Sequence, residues 1–430
     1  SVWFIRAFFM KKIKNDCFSF KGKLLKTVDA KKILLQKISP TTRSETISIK
    51  KALGRVLAEN ITSKIDVPGY DNAAVDGYAV YFNDLKQNAK TLLPIAGIVT
   101  AGHPLRKKFK RGCAYRVLTG APIAEKFKGP DTIIMQEDCK IVKNQVLIQP
   151  GHKKGSNYRL RGEDIKSGEK VLLKGSALRP QEIGLSASVG KRKLKVYKKV
   201  RVAIFSTGDE IQEPGKKLKF GSIYNSNRYS LISLTKQLQC EINDLGLLPD
   251  NYKRTLAALS NAAKKFDFVI TSGGVSVGDE DHVYRSIKKL GKIHFWRVAI
   301  KPGRPIALGN IKKAKIIGLP GNPVSVIVTF MIFAKPALLK FSGLRSFEPH
   351  LYKIQSGFDY KKKRGRREWL RVTLINGGDG KIRAQKYPQD GSGILSSMVN
   401  ADGLVELSEN IDHVKKGMLV DFLPFSEILK

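Results

Sequence analysis

The sequence predicts a multidomain α/β protein in which a doubly wound α/β domain lies between regions of short β-strands. From Arg201 to about Gly343, apolar strand-like runs alternate with helix-like segments, a pattern typical of a mostly parallel sheet. Short β-type runs broken by glycine and proline occupy Lys90 to Pro150 and return after Phe347. The chain has 430 residues, which at roughly 100–200 residues per domain suggests two to four domains.

The N-terminal segments are predicted to be helical. The apolar residues of Thr27–Ser39 have helical spacing, with Asp29 as a candidate N-cap. Ile49–Ile61 has the pattern of a second amphipathic helix. Residues 1–23 are interpreted as an N-terminal extension of uncertain extent, because their apolar part is short and lacks the charge-first order of a signal peptide.

In the α/β region, apolar runs end in glycine-containing turns. Helices are predicted at Tyr229–Leu238 and Thr255–Lys265, with a strand at Cys240–Leu248 between them. A further helix is predicted upstream at Pro180–Val189, and an apolar helix follows Pro323. The strand runs with their turns are VRVAIFSTGDE, FDFVITSGG and AKIIGLPGNP.

The chain is strongly basic, with 78 Lys and Arg against 37 Asp and Glu and a net charge of +41. Such a field attracts nucleic acid, anionic membranes or anionic small molecules. Because lysines occur in every segment, the excess is interpreted as a compositional bias, and the densest basic run, Lys361–Arg367, as a solvated loop. A nucleic-acid partner is therefore not expected, although the charge leaves that alternative open.

Cysteine usage and hydropathy indicate the cytoplasm. The four cysteines are far apart, form no C-x-x-C pair and are too sparse for a disulfide scaffold. The longest apolar stretches are expected to fall well short of the roughly 20 residues that span a bilayer. We therefore expect no membrane association.

Three loops that follow predicted strands carry the candidate chemistry: Ser206–Glu210, Ser272–Asp281 and Gly318–Pro323. Ligands bind beyond the carboxyl ends of strands in an open α/β sheet, and glycines let backbone N–H groups approach an anion. Carboxylates in two of these loops would suit Mg²⁺ shared with substrate phosphates, although helix N-capping is an alternative for Asp209 and Asp279.

Other segments add candidate polar groups. Arg297, Lys301 and Arg304 are spaced around a Pro-Gly pair and could bind phosphate or another oxyanion. In the N-terminal half, Asp76 lies among small residues before a strand, where turn capping would also explain it, and Thr119 lies in a turn too polar for a core. The histidines show no metal-ligand spacing, so no histidine metal site is predicted.

The ordered motifs resemble the molybdopterin molybdenumtransferases, which insert molybdate in the last step of molybdenum cofactor synthesis, and are similarly close to the E domain of gephyrin. The resemblance covers roughly Thr27 to the C-terminus. The matching segments are VPGYDNAAVDGYAV, RVLTGAPIAE with IIMQED, RGEDIKSGEKVL, VAIFSTGDEI, IYNSNRYSL, TSGGVSVGDEDHV, FWRVAIKPGRPIALG and GLPGNPVSVIVTF.

This resemblance implies a four-part architecture and a homodimer. The active cleft would form between the α/β domain of one subunit and the inserted domain of the other. The implied parts are an elongated discontinuous domain (24–64 and 162–199), an inserted β domain (65–161), a molybdopterin-binding α/β domain (200–346) and a C-terminal β-barrel-like domain (347–430).

The resemblance also implies the reaction: molybdate enters adenylylated molybdopterin, the phosphoanhydride is hydrolysed with Mg²⁺, and AMP leaves. The implied catalytic residues are Asp76, Asp164, Glu210, Asp250 and Asp281, the last three also as metal ligands. The implied substrate-binding residues are Thr119, Gly273, Gly274, Ser276, Gly278, Arg297, Lys301, Pro320 and Pro323.

Departures from the family pattern leave the acidic set intact. Ala73 and Val75 stand where Ser and Met are common, Arg304 replaces a usual Lys, and Asn225 stands where Asp is frequent. Three alternatives remain: the preceding adenylyl transfer, a non-catalytic gephyrin-like scaffold, and a basic nucleic-acid binder. Other proteins of molybdenum cofactor synthesis are expected partners.

Overall fold

The structure, a computed structural model of the chain, describes residues 24–124, 129–274 and 282–428. These residues form two compact units. The first comprises the described residues up to Glu45, then Gly54–Val56 and Tyr197 onward; the second comprises Thr46–Leu53 and Leu57–Val196.

Helices occur in both units. Three 3₁₀ turns cover Ile49–Lys51, Phe82–Asp84 and Gln136–Asp138, and a π-helical turn covers Phe330–Ala334. In chain order, the described α-helices are Thr27–Gln36 (α1), Pro180–Ser188 (α2), Ser226–Gln237 (α3), Tyr252–Lys265 (α4), His282–Leu290 (α5), Pro323–Thr329 (α6), Lys335–Phe341 (α7), Ser396–Val399 (α8) and Phe425–Ile428 (α9).

The described strands are mostly short. Up to Tyr197 they are Ser44–Ser48 (β1), Ile61–Thr62 (β2), Asp71–Ala73 (β3), Gly77–Val80 (β4), Thr91–Val99 (β5), Ala114–Val117 (β6), Pro122–Ala124 (β7), Thr132–Met135 (β8), Cys139–Val142 (β9), Gln145–Ile148 (β10), Tyr158–Arg159 (β11), Lys170–Leu172 (β12) and Lys193–Tyr197 (β13). Beyond it they are Arg201–Thr207 (β14), Ile211–Gln212 (β15), Ile223–Tyr224 (β16), Glu241–Leu248 (β17), Phe268–Ser272 (β18), Lys292–Trp296 (β19), Ile300–Lys301 (β20), Ala307–Ile311 (β21), Ala314–Leu319 (β22), Tyr352–Ser356 (β23), Tyr360–Lys361 (β24), Arg367–Asn376 (β25), Ile382–Lys386 (β26), Gly403–Leu407 (β27), His413–Val414 (β28) and Leu419–Pro424 (β29).

A six-stranded sheet in the order β17-β14-β18-β22-β21-β19 lies in the first unit. Its first four strands pair in parallel, and β21 pairs antiparallel with both β22 and β19. Along β14, Val202 and Ile204 join one hydrophobic cluster, whereas Ala203 and Phe205 join another. Because alternate residues of a strand face opposite sides, both faces of the sheet are covered. The predicted doubly wound α/β domain is confirmed.

Strands β14, β18 and β22 end at the same edge of this sheet. Ser206 pairs with Ser272, and Ser272 pairs with Leu319, in the parallel ladders. The three glycine-containing loops that follow these strands therefore leave the sheet next to one another, at the edge where open α/β sheets bind ligands.

One long apolar helical segment, Pro323–Phe341, combines α6, the π turn and α7. By length and composition its 19 residues could cross a membrane, with a mean hydropathy of 1.8. The expectation that the apolar stretches fall well short of a membrane span was therefore wrong about length. However, 72% of its most apolar window is buried inside the protein, which is typical of a core helix.

The C-terminal strands close into a five-stranded barrel. β25, β26, β23, β29 and β27 pair in that order, and β27 pairs back to β25. Val372, Val405 and Phe422 lie in its hydrophobic cluster. The predicted β-barrel-like C-terminal domain is confirmed.

The second unit is rich in short strands. A six-stranded sheet has the order β8-β4-β6-β5-β10-β9, and a three-stranded sheet has the order β11-β3-β7. A separate hydrophobic cluster joins Ala52 and Leu57 with Leu178 and Val196. Segments that precede and follow the strands β3–β11 thus share one core. The exact boundaries of the four implied domains stay a prediction.

The helix predicted over Ile49–Ile61 was wrong. After a single 3₁₀ turn the chain becomes irregular, and Gly54 has a φ of +74°. The backbone N–H groups of Leu57 and Ala58 donate to the carbonyls of Ser176 and Lys195. These long-range hydrogen bonds replace the helical ones, which periodicity alone does not reveal.

Helix starts differ from the predictions because of capping. The N-cap of α1 is Lys26, so the expectation for Asp29 was wrong; Asp29 lies in the first turn instead. Helices α3 and α4 begin three residues earlier than predicted. Their N-caps, Asn225 and Asn251, accept hydrogen bonds from backbone N–H groups in the first turn, which stabilises the added residues.

Candidate active site

The loop after β14 carries Glu210, a predicted catalytic and metal-binding carboxylate. Gly208 has a φ of +145°, and a Cβ at this position would lie 2.7 Å from Glu210 Oε2. The Glu210 carbonyl accepts a hydrogen bond from Ile223 N at 2.8 Å. Glycine therefore lets the exposed Glu210 carboxylate lie against the loop backbone.

Asp250 lies beside this loop. Its backbone N–H donates to Asp209 Oδ1 at 3.1 Å, and its Oδ1 lies 3.7 Å from Nε2 of His282, the first residue of α5. Asp281, the third predicted metal ligand, precedes His282 in sequence and lies outside the described residues. The structure thus brings the loop after β14, Asp250 and the start of α5 together.

The glycines after β18 pack closely on β14. Gly273 and Gly274 have φ values of +84° and +67°. A Cβ on Gly273 would lie 2.5 Å from the Thr207 carbonyl oxygen, and one on Gly274 would lie 2.9 Å from Thr207 Oγ1. Side chains at these positions would therefore push the loop off the sheet. The predicted residues Ser276 and Gly278 lie outside the described residues.

The two predicted prolines frame the loop after β22. Pro320 is buried, and its carbonyl accepts a hydrogen bond from Ser272 Oγ at 3.3 Å. Pro323 occupies the first turn of α6, where its missing N–H costs nothing. Between them, Asn322 Nδ2 donates to Ser392 Oγ at 2.9 Å. This loop is therefore tied to the end of β18 and to the segment after β26.

Lys301 makes contacts that the sequence did not indicate. Its ammonium donates to Tyr360 Oη at 2.9 Å and to Glu368 Oε2 at 3.3 Å. Glu368 is only 1% exposed. Burial disfavours the ammonium, but these two partners outweigh it and raise the pKa of Lys301. Its charge is thus already shared with a buried carboxylate.

Arg297, the other predicted anion-binding residue of this segment, has a positive φ of +67°. Its backbone N–H donates to the Ile306 carbonyl at 3.2 Å, and the next residue, Val298, donates to the Arg304 carbonyl at 3.1 Å. Backbone hydrogen bonds therefore fix the segment that carries both arginines.

Asp76 and Thr119 meet in the second unit, although 43 residues separate them. The Thr119 backbone N–H and its hydroxyl both donate to Asp76 Oδ1 at 2.7 Å. These hydrogen bonds hold the pKa of Asp76 below its usual value, so its carboxylate stays ionised. Asp164 is exposed in the same unit, and its backbone N–H donates to the Val67 carbonyl at 3.0 Å.

The carboxylate oxygens of Glu210 and Asp250 are the ligand type that Mg²⁺ prefers, so the donor chemistry fits this ion. Within the part of the chain that the structure describes, no three His, Cys, Asp or Glu side chains group as a metal site. Asp281, the remaining predicted ligand, lies outside that part. A complete Mg²⁺ site would therefore need a residue beyond the described pair.

Three of the six basic side chains in the densest basic run, Lys361–Arg367, have partners in the segment 406–412. Arg364 pairs with Asp412 at 2.7 Å, and Arg367 pairs with Glu406 and with Glu409. The buried Lys362 ammonium donates to the Ile411 carbonyl at 2.7 Å.

Sequence reasoning assigned no role to several polar residues that the structure places among the candidate loops. Asn227 and Arg228 lie in the quoted segment IYNSNRYSL, so a signal was present for them. His282 follows the acidic loop directly. Tyr360 and Glu368 carried no signal, because only the fold brings them to Lys301.

Three family descriptions match successive parts of the chain. Residues 25–190 match the MoeA N-terminal region (domain I and II), residues 203–340 match a probable molybdopterin binding domain, and residues 353–425 match the MoeA C-terminal region (domain IV).

Individual relatives match over almost their full length. The chain is 38% identical over 403 residues to molybdopterin molybdenumtransferase from Haemophilus influenzae, covering 93% of this chain and 98% of the relative. It is 35% identical over 402 residues to molybdopterin molybdenumtransferase from Nostoc, covering 91% of each. The crystal structure of the molybdopterin biosynthesis moeA protein from Pyrococcus horikoshii OT3 is similar with a TM-score of 0.82 and 31% identity, covering 94% of this chain and 100% of that one.

Proposed function

We propose, from the premise that this chain belongs to the molybdopterin molybdenumtransferase family, that it inserts molybdate into adenylylated molybdopterin. In this reaction the two dithiolene sulfurs of the substrate form bonds to molybdenum, and one molybdate oxygen leaves as water together with the two thiol protons. Water then attacks the phosphoanhydride, the bond between the two phosphates breaks, and AMP leaves.

The observation that supports the proposal most is the common edge of the α/β sheet. There the tightly packed Gly273–Gly274 turn, the loop of Glu210 and the hydrogen bond from the Asp250 backbone N–H to the Asp209 carboxylate occur together. Glycine backbones allow a phosphate or pterin to approach closely, and carboxylates suit a cation or a water nucleophile. A substrate that carries both an anhydride and a pterin matches this combination.

The remaining proposed residues are charged groups that would act on the anionic substrates. Asp76, ionised by its contact with Thr119, and the exposed Asp164 would orient molybdate or water, and Arg297 and Lys301 would balance the substrate's negative charge. Glu210, Asp250 and Asp281 would hold Mg²⁺. When bound, that ion would offset the charge of the phosphoanhydride oxygens.

The proposal is tested by mixing the purified protein with adenylylated molybdopterin, molybdate and Mg²⁺. We expect molybdate-dependent AMP release together with formation of active cofactor. Consumption of ATP and molybdopterin would instead support the adenylyltransferase alternative. Absence of either activity would support a scaffold, and sequence-preferring, salt-sensitive retention on DNA would support the nucleic-acid binder.

The proposed acidic residues are tested with Asp76→Asn and Asp281→Ala. Asp76→Asn keeps the side-chain shape but removes the charge, so we expect turnover to fall by about a hundredfold or more. Asp84→Asn is the matched control in the same unit, because Asp84 pairs with the exposed Arg111 and has no proposed catalytic role. Parent-like turnover in both acidic variants would show that the site assignment is wrong.

We further propose that the active form is a homodimer whose site combines residues of both subunits. Asp76→Asn and Asp250→Asn would each be inactive alone. After mixing and subunit exchange, half of the dimers would be mixed and would hold one intact site, so about a quarter of the parent activity should return. No recovery on confirmed exchange would contradict a shared site.

A cytoplasmic location is also proposed. Among the described cysteines, Cys113, Cys139 and Cys240 are free thiols, and burial raises the pKa of Cys139 and of Cys240 to about 12. Such thiols resist oxidation and suit a reducing compartment. Anionic small molecules and other proteins of molybdenum cofactor synthesis are the proposed partners, with no membrane or nucleic acid.

A further inference from the structure

The N-cap and the first turn of α3 contain buried polar side chains that the proposed reaction does not use. Asn225 is 2% exposed, Asn227 is 8% exposed and Arg228 is 5% exposed. Burying polar groups is unfavourable unless they form hydrogen bonds, so their partners indicate what they do.

Asn227 joins two of the candidate loops. Its Nδ2 donates to Ser272 Oγ, at the end of β18, at 3.0 Å and to the Gly321 carbonyl, in the loop after β22, at 2.5 Å. Ser272 Oγ in turn donates to the Pro320 carbonyl at 3.3 Å. One amide thus connects the Gly273–Gly274 turn with the Pro320–Pro323 loop.

The orientation of the Asn227 amide is determined by chemistry. A backbone carbonyl only accepts hydrogen bonds, so the nitrogen must face Gly321. Asn227 Oδ1 is buried without a hydrogen-bond partner among the described residues. The contact to Gly321 therefore requires a donor at this position, which a carboxylate would not provide.

Asn225, in contrast, is the N-cap of α3. Its Oδ1 caps α3 by accepting from Arg228 N at 3.2 Å. Its Nδ2 has no hydrogen-bond partner within the described ranges. A carboxylate at residue 225 would keep the cap, lose no donor bond and carry a charge that a helix N-terminus favours.

Arg228 anchors the turn from the other side. Its guanidinium pairs with Asp244 on β17 and with Glu213, three residues beyond Glu210. These ion pairs hold the start of α3 against the sheet. The backbone that carries Asn227 is therefore fixed relative to the two loops that its side chain contacts.

We infer that Asn227 is a positioning residue that holds the Gly273–Gly274 turn and the Pro320–Pro323 loop in register for the substrate. Without its donor, the Gly321 carbonyl would face a side chain that repels it, and the two loops would separate. The inference deepens the proposed function, since it rests on these loops binding adenylylated molybdopterin.

The experiment compares Asn227→Asp with Asn225→Asp, two variants with the same change of charge two residues apart. Hydrogen exchange is first followed without substrate. In Asn227→Asp, peptides that cover 272–274 and 319–322 should exchange faster than in the parent. Asn225→Asp should exchange as the parent does, because its cap remains.

Kinetics with adenylylated molybdopterin then separate positioning from general stability. For Asn227→Asp we expect KM to rise by about tenfold or more at a temperature where the protein is fully folded, because misplaced loops bind the substrate poorly. Asn225→Asp should keep KM within about twofold of the parent. If Asn227→Asp does not fold, Ser272→Ala serves as a second variant and should raise KM several-fold, because it removes the hydroxyl between Asn227 and Pro320.

The outcomes distinguish the role of Asn227 from the proposed molybdate insertion. Parent-like exchange and parent-like KM in Asn227→Asp would overturn the inference while leaving the proposed function intact. Lack of molybdate-dependent turnover in the parent would instead overturn the proposed function, and the exchange comparison would still decide whether Asn227 holds the loops. Equal changes in the two Asp variants would assign the effect to charge and overturn the role of the donor.

Discussion

The candidate loops of the first unit and the Asp76 turn of the second are held in different ways. In the first unit, buried polar side chains such as Asn227 and Glu368 hold loops that lie far apart in sequence. In the second unit, Asp76 is held by the N–H and hydroxyl of one exposed residue, Thr119. The α/β site therefore depends on buried polar contacts, whereas the acidic turn depends on the contact with one exposed residue.

The comparison predicts the largest difference for glycines. Gly273→Ala would place a Cβ 2.5 Å from the Thr207 carbonyl in a left-handed conformation. We expect it to lower the free energy of unfolding by about 3 kcal/mol, combining backbone strain and overpacking. Gly112→Ala, with a φ of +69° and nothing within 4 Å of the added Cβ, should cost only about 1 kcal/mol.

Urea unfolding of both alanine variants measures this difference. Equal decreases in the free energy of unfolding would show that the turn after β18 can relax as freely as the exposed Gly112 turn. The proposed difference between the two regions would then be wrong.

A smaller difference is expected for charge pairs. Glu368→Gln removes the buried charge that faces Lys301, which is 39% exposed and can partly rehydrate, so we expect a loss of about 2 kcal/mol. Asp84→Asn keeps an acceptor for the Gly112 N–H and faces Arg111, which is 59% exposed, so although the Asp84 side chain is itself only 13% exposed we expect a loss of about 1 kcal/mol.

The pH dependence adds a check on Glu368→Gln. Because the folded-state pKa of Lys301 is raised, its contribution is complete below the unfolded pKa of about 10.4 and is lost as the pH rises through the folded value. The stability gap between parent and variant should therefore be constant near pH 7 and shrink in strongly alkaline solution. A gap that changes between pH 5 and 8 would contradict this account.

The smallest effect is expected at Thr119. Thr119→Val removes the hydroxyl donor but keeps the backbone N–H, so the pKa of Asp76 should rise toward its usual value while the carboxylate stays ionised at pH 7. Turnover at pH 7 should fall by less than about tenfold.

NMR titration of aspartate-labelled protein measures this pKa directly. The depressed folded value means that the contribution of Asp76 is present above about pH 4 and is lost only as the pH falls through the folded pKa. Thr119→Ser keeps a hydroxyl and should match the parent. An unchanged titration in Thr119→Val would show that the hydroxyl does not hold the charge.

Much of the architecture could be predicted from local patterns. The strand runs ending in STGDE, TSGG and GLPGNP mark β14, β18 and β22, because buried parallel strands are continuously apolar and glycine turns end them. The helix predicted over Ile49–Ile61 failed because the N–H groups of Leu57 and Ala58 bond to residues more than a hundred positions away. Apolar spacing does not report such partners.

In the candidate site, too, some residues could be predicted from the sequence, whereas their long-range partners could not. Asp76 and Thr119 are candidates from their turns as well as from the family resemblance, whereas Asp250 is a candidate from the resemblance alone; the structure adds the Asp76–Thr119 contact and the neighbour His282. The sequence did not indicate that Lys301 shares its charge with Glu368. A lysine beside a Pro-Gly pair has the same local sequence whether its partner is a substrate or a buried carboxylate.

The sequence by itself determined the order of the motifs, the doubly wound α/β domain, the C-terminal barrel and the resemblance to the molybdenum-inserting enzymes. Only the tertiary structure decided which polar groups meet: Asn227 with Gly321 across 94 residues, and Lys301 with Glu368 across 67. The reason is physical. Local periodicity records which face of a strand or helix avoids water, whereas hydrogen-bond partners are set by which strand ends the fold places side by side.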